Sequence, residues 1–173
     1  MTGRHLVLVG MMGAGKSTVG RECARRLGRP FVDTDEVVAS VAGMPVAQVF
    51  ATRGEPAFRE LERAAVADAC AAPEPLVVAC GGGAVNDPDS RRRLRAAGVV
   101  VWLRVPADVL ARRVGDGSGR PLLAGDPAAA LARLARLREP SYEAAADRVV
   151  DGAGPVGAVA DAVIAAYEEA AVA

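Results

Sequence analysis

Histidine and lysine occur once each in this chain, at His5 and Lys16, and aromatic side chains make up only 3% of it. Cysteine occurs three times, at Cys23, Cys70 and Cys80, with no C-x-x-C pair. One histidine beside three irregularly spaced thiols supports neither a zinc site nor a disulfide framework, and a reducing compartment suits them. An excess of charge is missing too. Lys+Arg and Asp+Glu stand at 21 each, so the formal net charge is zero. Such a balance gives no global pull toward nucleic acid or an anionic membrane. No run is long and apolar enough to span a bilayer. The first strand begins by Leu6, which leaves no room for a signal peptide. The expectation is a cytoplasmic protein with no nucleic-acid or membrane partner. No apolar surface stripe asks for a second chain, so a monomer is expected. At 173 residues the chain reads as one domain, 1–173, large enough to bury roughly 70% of its unfolded surface.

What is present is organised around Gly10-Met-Met-Gly-Ala-Gly-Lys-Ser17. Leu6-Val-Leu-Val9 before it reads as a strand buried on both faces. The segment from Thr18 to Leu27 after it reads as a helix with one apolar stripe. Strand, G-x-x-x-x-G-K-[ST], helix is the context of a phosphate-binding P-loop. Its glycines let backbone N–H groups curl inward around a phosphate, and the helix start adds its positive dipole end. The cradle is Gly13, Ala14, Gly15, Lys16, Ser17 and Thr18. Lys16 reaches the β- and γ-phosphates as a point charge and Ser17 ligates Mg²⁺. A chain that otherwise uses arginine keeps lysine where a compact ammonium is required.

The rest alternates. Phe31-Val32 is a second strand ending in Asp33-Thr34-Asp35, followed by a helix over 36–42. Pro45 opens another helix through Val46, Val49 and Phe50. Gly54 interrupts it, and Glu55 to Ala71 is a longer helix turning Phe58, Leu61, Ala65 and Ala69 to the core. Leu76 to Ala79 is a third strand running into Cys80-Gly81-Gly82-Gly83. Asp87-Pro88 caps a helix to Ala97, and Val99 to Leu103 is the fourth strand. A helix over 106–114 precedes a glycine-rich mobile loop at 115–121. Asp126-Pro127 caps a helix through Leu131, Leu134 and Leu137 to about Arg138. Arg148 to Val150 is the fifth strand, and 155–169 the closing helix. The pattern predicts an α/β three-layer sandwich, with a central five-stranded parallel sheet between helices. Ligands then gather at the carboxyl ends of the strands.

Those ends place two carboxylates, a glycine triplet and the phosphate cradle on one edge. The third strand ends in Cys80-Gly81 without an acid, so the magnesium carboxylate falls to Asp33 or Asp35. Acids at i and i+2 suggest separate roles: Asp33 toward the metal and Asp35 toward the acceptor. Asp33 or Thr34 also suits a helix N-cap.

Seven motifs in order now carry a resemblance. They are Gly10-x-x-x-x-Gly-Lys-Ser17, Asp33-Thr-Asp35, Phe50-Ala-x-x-Gly-Glu55, Phe58-Arg59, Gly81-Gly-Gly-Ala-Val85, Arg120-Pro-Leu-Leu123 and Arg138-x-x-x-Tyr142. Across nearly the whole chain the set resembles shikimate kinase. The resemblance implies a P-loop kinase fold with a mobile lid, and Mg²⁺-dependent transfer of the ATP γ-phosphoryl group to the 3-hydroxyl of shikimate, on the route to chorismate and aromatic amino acids. It implies acceptor-binding helices over 34–62 and a lid over 113–125. Asp35 then binds shikimate hydroxyls and stands as candidate base. Arg59 and Arg138 hold the carboxylate, with Phe50 and Phe58 beside it, and Gly81, Gly82 and Gly83 let the backbone approach the substrate. Ser17 and Asp33 serve Mg²⁺. Lys16, Asp35 and Arg120 are the catalytic set, Arg120 coming down with the lid. Arg113 stacks on adenine, with Pro155 opposite.

Bland readings stand beside these. Arg59 fits a solvated helix face, Arg138 fits a cap on the last carbonyls of its helix, and Arg91 to Arg95 fits a solvated face rather than a nucleic-acid site. Cys80 reads as a small buried side chain. Rival functions are a kinase of another hydroxylated acid such as gluconate, and a nucleotide-binding module that hydrolyses ATP slowly.

Overall fold

The computed structural model describes residues 4–172. Five parallel strands form one sheet in the order β2-β3-β1-β4-β5. β1 (His5–Val9) is the hub. Leu6 pairs with Val77 of β3 (Val77–Ala79) on one side and Val99 of β4 (Gly98–Arg104) on the other. Leu6, Val7 and Leu8 are fully buried, each stabilising the fold by about 1.5–3 kcal/mol relative to exposure. β2 (Phe31–Asp33) flanks β3, and β5 (Arg148–Asp151) flanks β4. The registers Leu8↔Ala79 and Asp33↔Ala79 bring the ends of β1, β2 and β3 to one level. The loops that follow these strands therefore open on the same edge.

Helices α1 (Lys16–Leu27), α2 (Thr34–Ala42), α3 (Val46–Cys70), α4 (Pro88–Ala97), α5 (Ala107–Val114), α6 (Pro127–Ala145) and α7 (Val156–Ala171) surround the sheet. The caps follow the sequence. Asp87 accepts from the Ser90 N–H at 2.8 Å and Asp126 from the Ala129 N–H at 3.2 Å, each with proline next. Apolar burial falls into two clusters. The larger lies on the sheet; the smaller holds Val38, Val49, Phe58 and Ala65 between α2 and α3. The one histidine is structural: buried His5 accepts the Leu76 N–H on Nδ1 at 3.0 Å.

Two expectations need correction and one holds. The helix after β2 starts at Thr34, because Asp33 caps it. The interruption expected at Gly54 is there: at φ 81°, ψ 167° the backbone leaves the helical region, so α3 is two helices joined across a kink. Most consequentially, α6 runs through Pro140 to Ala145 rather than stopping at Arg138. Its inward stripe is Ala130, Leu131, Arg138, Tyr142 and Ala145, while Leu137 is 68% exposed. The packing of that stripe outweighs the hydrogen bond that proline removes. Arg138 is thus an interior residue and not a cap.

Candidate active site

The phosphate cradle is backbone held in conformations that only glycine adopts freely. Gly13 has φ +81°, and a Cβ there would come within 2.9 Å of Val114. Gly15, at φ +91°, starts α1. Lys16 Nζ donates to the Gly10 and Met11 carbonyls at 2.8 Å each. Burial pushes its ammonium down to about 8. The Ser17 hydroxyl donates to Asp33 Oδ2. Asp33 Oδ1 meanwhile accepts the Asp35 N–H at 2.9 Å, so the cap and the bond to the P-loop are made by opposite oxygens of one carboxylate.

Facing the cradle, three helices bring side chains together at the glycine triplet. Asp35 comes from the first turn of α2, Arg59 and Glu62 from α3, and Arg138 and Tyr142 from α6. The glycines make room for these side chains. A Cβ on Gly81 would lie 2.7 Å from Asp35 Oδ1 and 2.8 Å from Glu62 Oε2; on Gly82, 3.0 Å from Arg138 Nη1; on Gly83, 2.6 Å from Arg59 Nη1. The triplet is tied down from both sides, by the Gly81 N–H donating to Thr34 Oγ1 at 2.9 Å and by the Tyr142 hydroxyl donating to the Gly82 carbonyl. Arg59 Nη1 donates to Glu62 Oε1 at 2.8 Å and Nη2 to Glu55 Oε1 at 3.2 Å.

Among the described residues, two buried side-chain atoms have no hydrogen-bond partner: Glu62 Oε2 and Arg138 Nη1. Both residues are under 5% exposed. Orphans of this kind cost about 1–3 kcal/mol each, more when charged, and both sit at the triplet. Burial pushes the Asp35 carboxyl up, as does its neighbour Asp33, against Lys16, Arg59 and Arg138. Burial pushes Glu62 up as well, against Arg59.

One cleft of about 760 Å³ joins these parts. Gly13 to Thr18, Asp33, Asp35, Phe50, Phe58, Arg59, Gly82, Gly83, Arg113, Arg120 and Arg138 line it. Of the residues expected at the site, Gly81 and Pro155 do not. Gly81 stands behind Asp35 and Glu62, and Gly152, Gly154 and Val156 line the cleft on either side of Pro155. Arg113 donates to the carbonyls of Gly13 at 3.1 Å, Gly152 at 2.9 Å and Ala153 at 3.2 Å, tying the cradle to the segment after β5. The arginines at 91–95 lie outside the cleft; Arg92 pairs with Asp89. Cys80 is buried beside the cradle, and its thiol is pushed well up by burial.

Sequence reasoning gave no role to Thr34 beyond a cap, to Tyr142 beyond a motif position, and none to Glu62. The signal for Glu62 was spacing: it follows Phe58 by four and precedes Ala65 and Val66 on the face of α3 that is buried.

The shikimate kinase family model matches residues 12–168. A shikimate kinase of Nitrobacter winogradskyi is 48% identical over 84% of this chain and 68% of its own length. One of Novosphingobium aromaticivorans is 43% identical over 96% of this chain and 89% of its own. Among solved structures, shikimate kinase from Acinetobacter baumannii in complex with shikimate superposes with a TM-score of 0.86 at 34% identity, covering 94% of this chain and 89% of that one.

Proposed function

This chain belongs to the shikimate kinase family, and from that premise we propose that it transfers the γ-phosphoryl group of ATP to the 3-hydroxyl of shikimate, giving shikimate 3-phosphate and ADP with Mg²⁺. The observation that carries the reading is the convergence of Arg59, Arg138 and Asp35 on the glycine triplet, opposite Lys16 and within one cleft. Two guanidinium groups suit a carboxylate bidentately. A carboxylate between them and the P-loop suits a hydroxyl.

Lys16 exchanges the Gly10 and Met11 carbonyls for phosphate oxygens, and the glycine-rich backbone holds the β-phosphate. Asp35 orients the acceptor hydroxyl and takes its proton late, since phosphoryl transfer is loose and positioning outweighs proton removal. Arg120, on the 113–125 lid, adds positive charge from the lid side. The bound nucleotide displaces the contacts of Arg113, freeing it for the base. The oxygen donors of Ser17 and Asp33 fit Mg²⁺, which takes few protein ligands beside phosphate and water. Among the described residues no cluster of three or more His, Cys, Asp or Glu could hold a metal by itself, in keeping with a cation held largely by the nucleotide. When bound, Mg²⁺ neutralises charge on the phosphate oxygens. Residues 34–62 are the acceptor-binding helices of this one domain. No helix among the described residues is long and apolar enough to cross a membrane. Independently of that, a cytoplasmic monomer is the proposal for this chain.

The test is ADP release from Mg²⁺-ATP with and without shikimate, against a panel including gluconate and quinate. Strong stimulation by shikimate alone is expected. Stimulation by another acid keeps the kinase and discards the acceptor. Slow release indifferent to every acid leaves only nucleotide binding.

A further inference from the structure

Among the described residues Glu62 is the one acid with a fully buried oxygen that has no hydrogen-bond partner. Oε1 holds Arg59, while Oε2 is buried, unpartnered and 2.8 Å from where a Cβ of Gly81 would stand. Asp35 Oδ1 approaches the same point from the other side, at 2.7 Å. Arg59 on α3, Asp35 on α2, Arg138 and Tyr142 on α6 and the thiol of Cys80 are the titratable or charged groups that face Glu62. Arg59 is the nearest countercharge, and it is already shared with Glu55.

We propose that binding of a carboxylate-bearing acceptor draws a proton from solvent onto the Glu62 carboxyl, making Glu62 a positioning residue that couples acceptor affinity to pH. The proposal rests on the acceptor reading above. An incoming carboxylate takes up part of the charge on Arg59 and Arg138 that balances Glu62, and adds a negative charge beside it. Glu62 is only 3% exposed, so solvent screens the difference weakly. A proton on Oε2 relieves it, and supplies a donor for Asp35 or for an acceptor hydroxyl at the triplet. Oε1 stays on Arg59 and holds the guanidinium for the ligand. A group whose pKa rises on binding makes affinity increase as pH falls.

The experiment is calorimetric titration of shikimate into the enzyme at one neutral pH, in buffers of different ionisation heat, repeated across the neutral range. The expected result is net uptake of a fraction of a proton per shikimate bound. Affinity should gain as pH falls, by no more than about tenfold per unit. Glu62→Gln, which keeps a carbonyl oxygen for Arg59, should bind shikimate with the uptake gone. Asp35→Asn should keep the uptake. No uptake in the wild type, or uptake unchanged in Glu62→Gln, overturns the proposal. If Glu62→Gln does not fold, Asp35→Asn decides: uptake lost there assigns the proton to Asp35 instead. Absence of any shikimate binding to the wild type overturns the acceptor reading first and this proposal with it, a result distinct from binding without protons.

Discussion

The cleft has two halves built on opposite plans. The phosphate half is eight consecutive residues, Gly10 to Ser17, hung between the central strand and the first helix. Its geometry is mostly backbone, and its one cation, half-buried Lys16, is satisfied by two carbonyls of its own loop. The half proposed for the acceptor is side chains from α2, α3, α6 and the triplet after β3, backed by the smaller hydrophobic cluster between α2 and α3. It holds both unpartnered buried atoms, Glu62 Oε2 and Arg138 Nη1. A local loop is preorganised by its own chain. An assembly of four elements leaves buried polarity uncompensated by its own chain, and it gives up stability to hold it.

The largest break should come from the phosphate half. Lys16→Ala should lower kcat by about 10²–10³-fold or more, since it removes fixed charge from the transferring group. Steady-state kinetics on a variant with unchanged far-ultraviolet circular dichroism checks this; near-normal kcat would end the P-loop assignment. Next comes Arg138→Met, which separates the halves. The acceptor KM should rise about 10²-fold through loss of a charged partner, with nucleotide affinity unaltered. The unliganded variant should melt no lower than the wild type, because a thioether in place of a half-satisfied buried cation is neutral or stabilising. A drop in Tm would mean that Arg138 is structural, as its place in the inward stripe of α6 would also allow.

The difference in plan also decides what could be read from the chain. A strand, a glycine loop, one lysine and a helix are contiguous, so the phosphate half and the alternation around it were legible, and the registers at the ends of β1, β2 and β3 agree with them. The acceptor half was legible only through resemblance, since no local rule says that an arginine on α6 points inward. The apolar period seemed to continue through Leu137, yet the helix turns Arg138 to the core and leaves Leu137 in solvent. The helix was expected to end at about Arg138, and packing carries it on through Pro140 to Ala145. Glu62 was missed because charge on a helix is ordinarily solvated. The triplet was expected to clear space for substrate, but its missing Cβ atoms first clear space for Asp35, Arg59, Glu62 and Arg138.

A smaller effect follows from the titration of the phosphate half. In the free enzyme the Lys16 ammonium is pushed down to about 8 by burial. A bound phosphate favours the charged form, so nucleotide binding takes up a proton once the pH exceeds that value. Affinity for ATP should be insensitive to Lys16 below pH 8 and fall by up to about tenfold per unit above it. The acceptor half should show the same sign at lower pH, gaining affinity toward acid. Nucleotide titrations across the alkaline range test the sign, and affinity rising with pH there would contradict the burial of Lys16.

The smallest effect lies where the halves touch. Gly82 stands between Arg138 Nη1 on one side and the P-loop on the other; its Cβ would be 3.0 Å from the guanidinium and 3.4 Å from the Met12 nitrogen. Tyr142 holds the Gly82 carbonyl, and its ring stacks on Trp102 with centroids 5.5 Å apart. Tyr142→Phe keeps the stack and removes only the hydroxyl, leaving one buried carbonyl unpaired at a cost of about 1 kcal/mol. If the triplet serves the acceptor half, that cost should appear as about a fivefold rise in acceptor KM with nucleotide affinity unaltered. Should both affinities fall together, Gly82 acts as a seam that positions the P-loop as well, and the two halves are mechanically one.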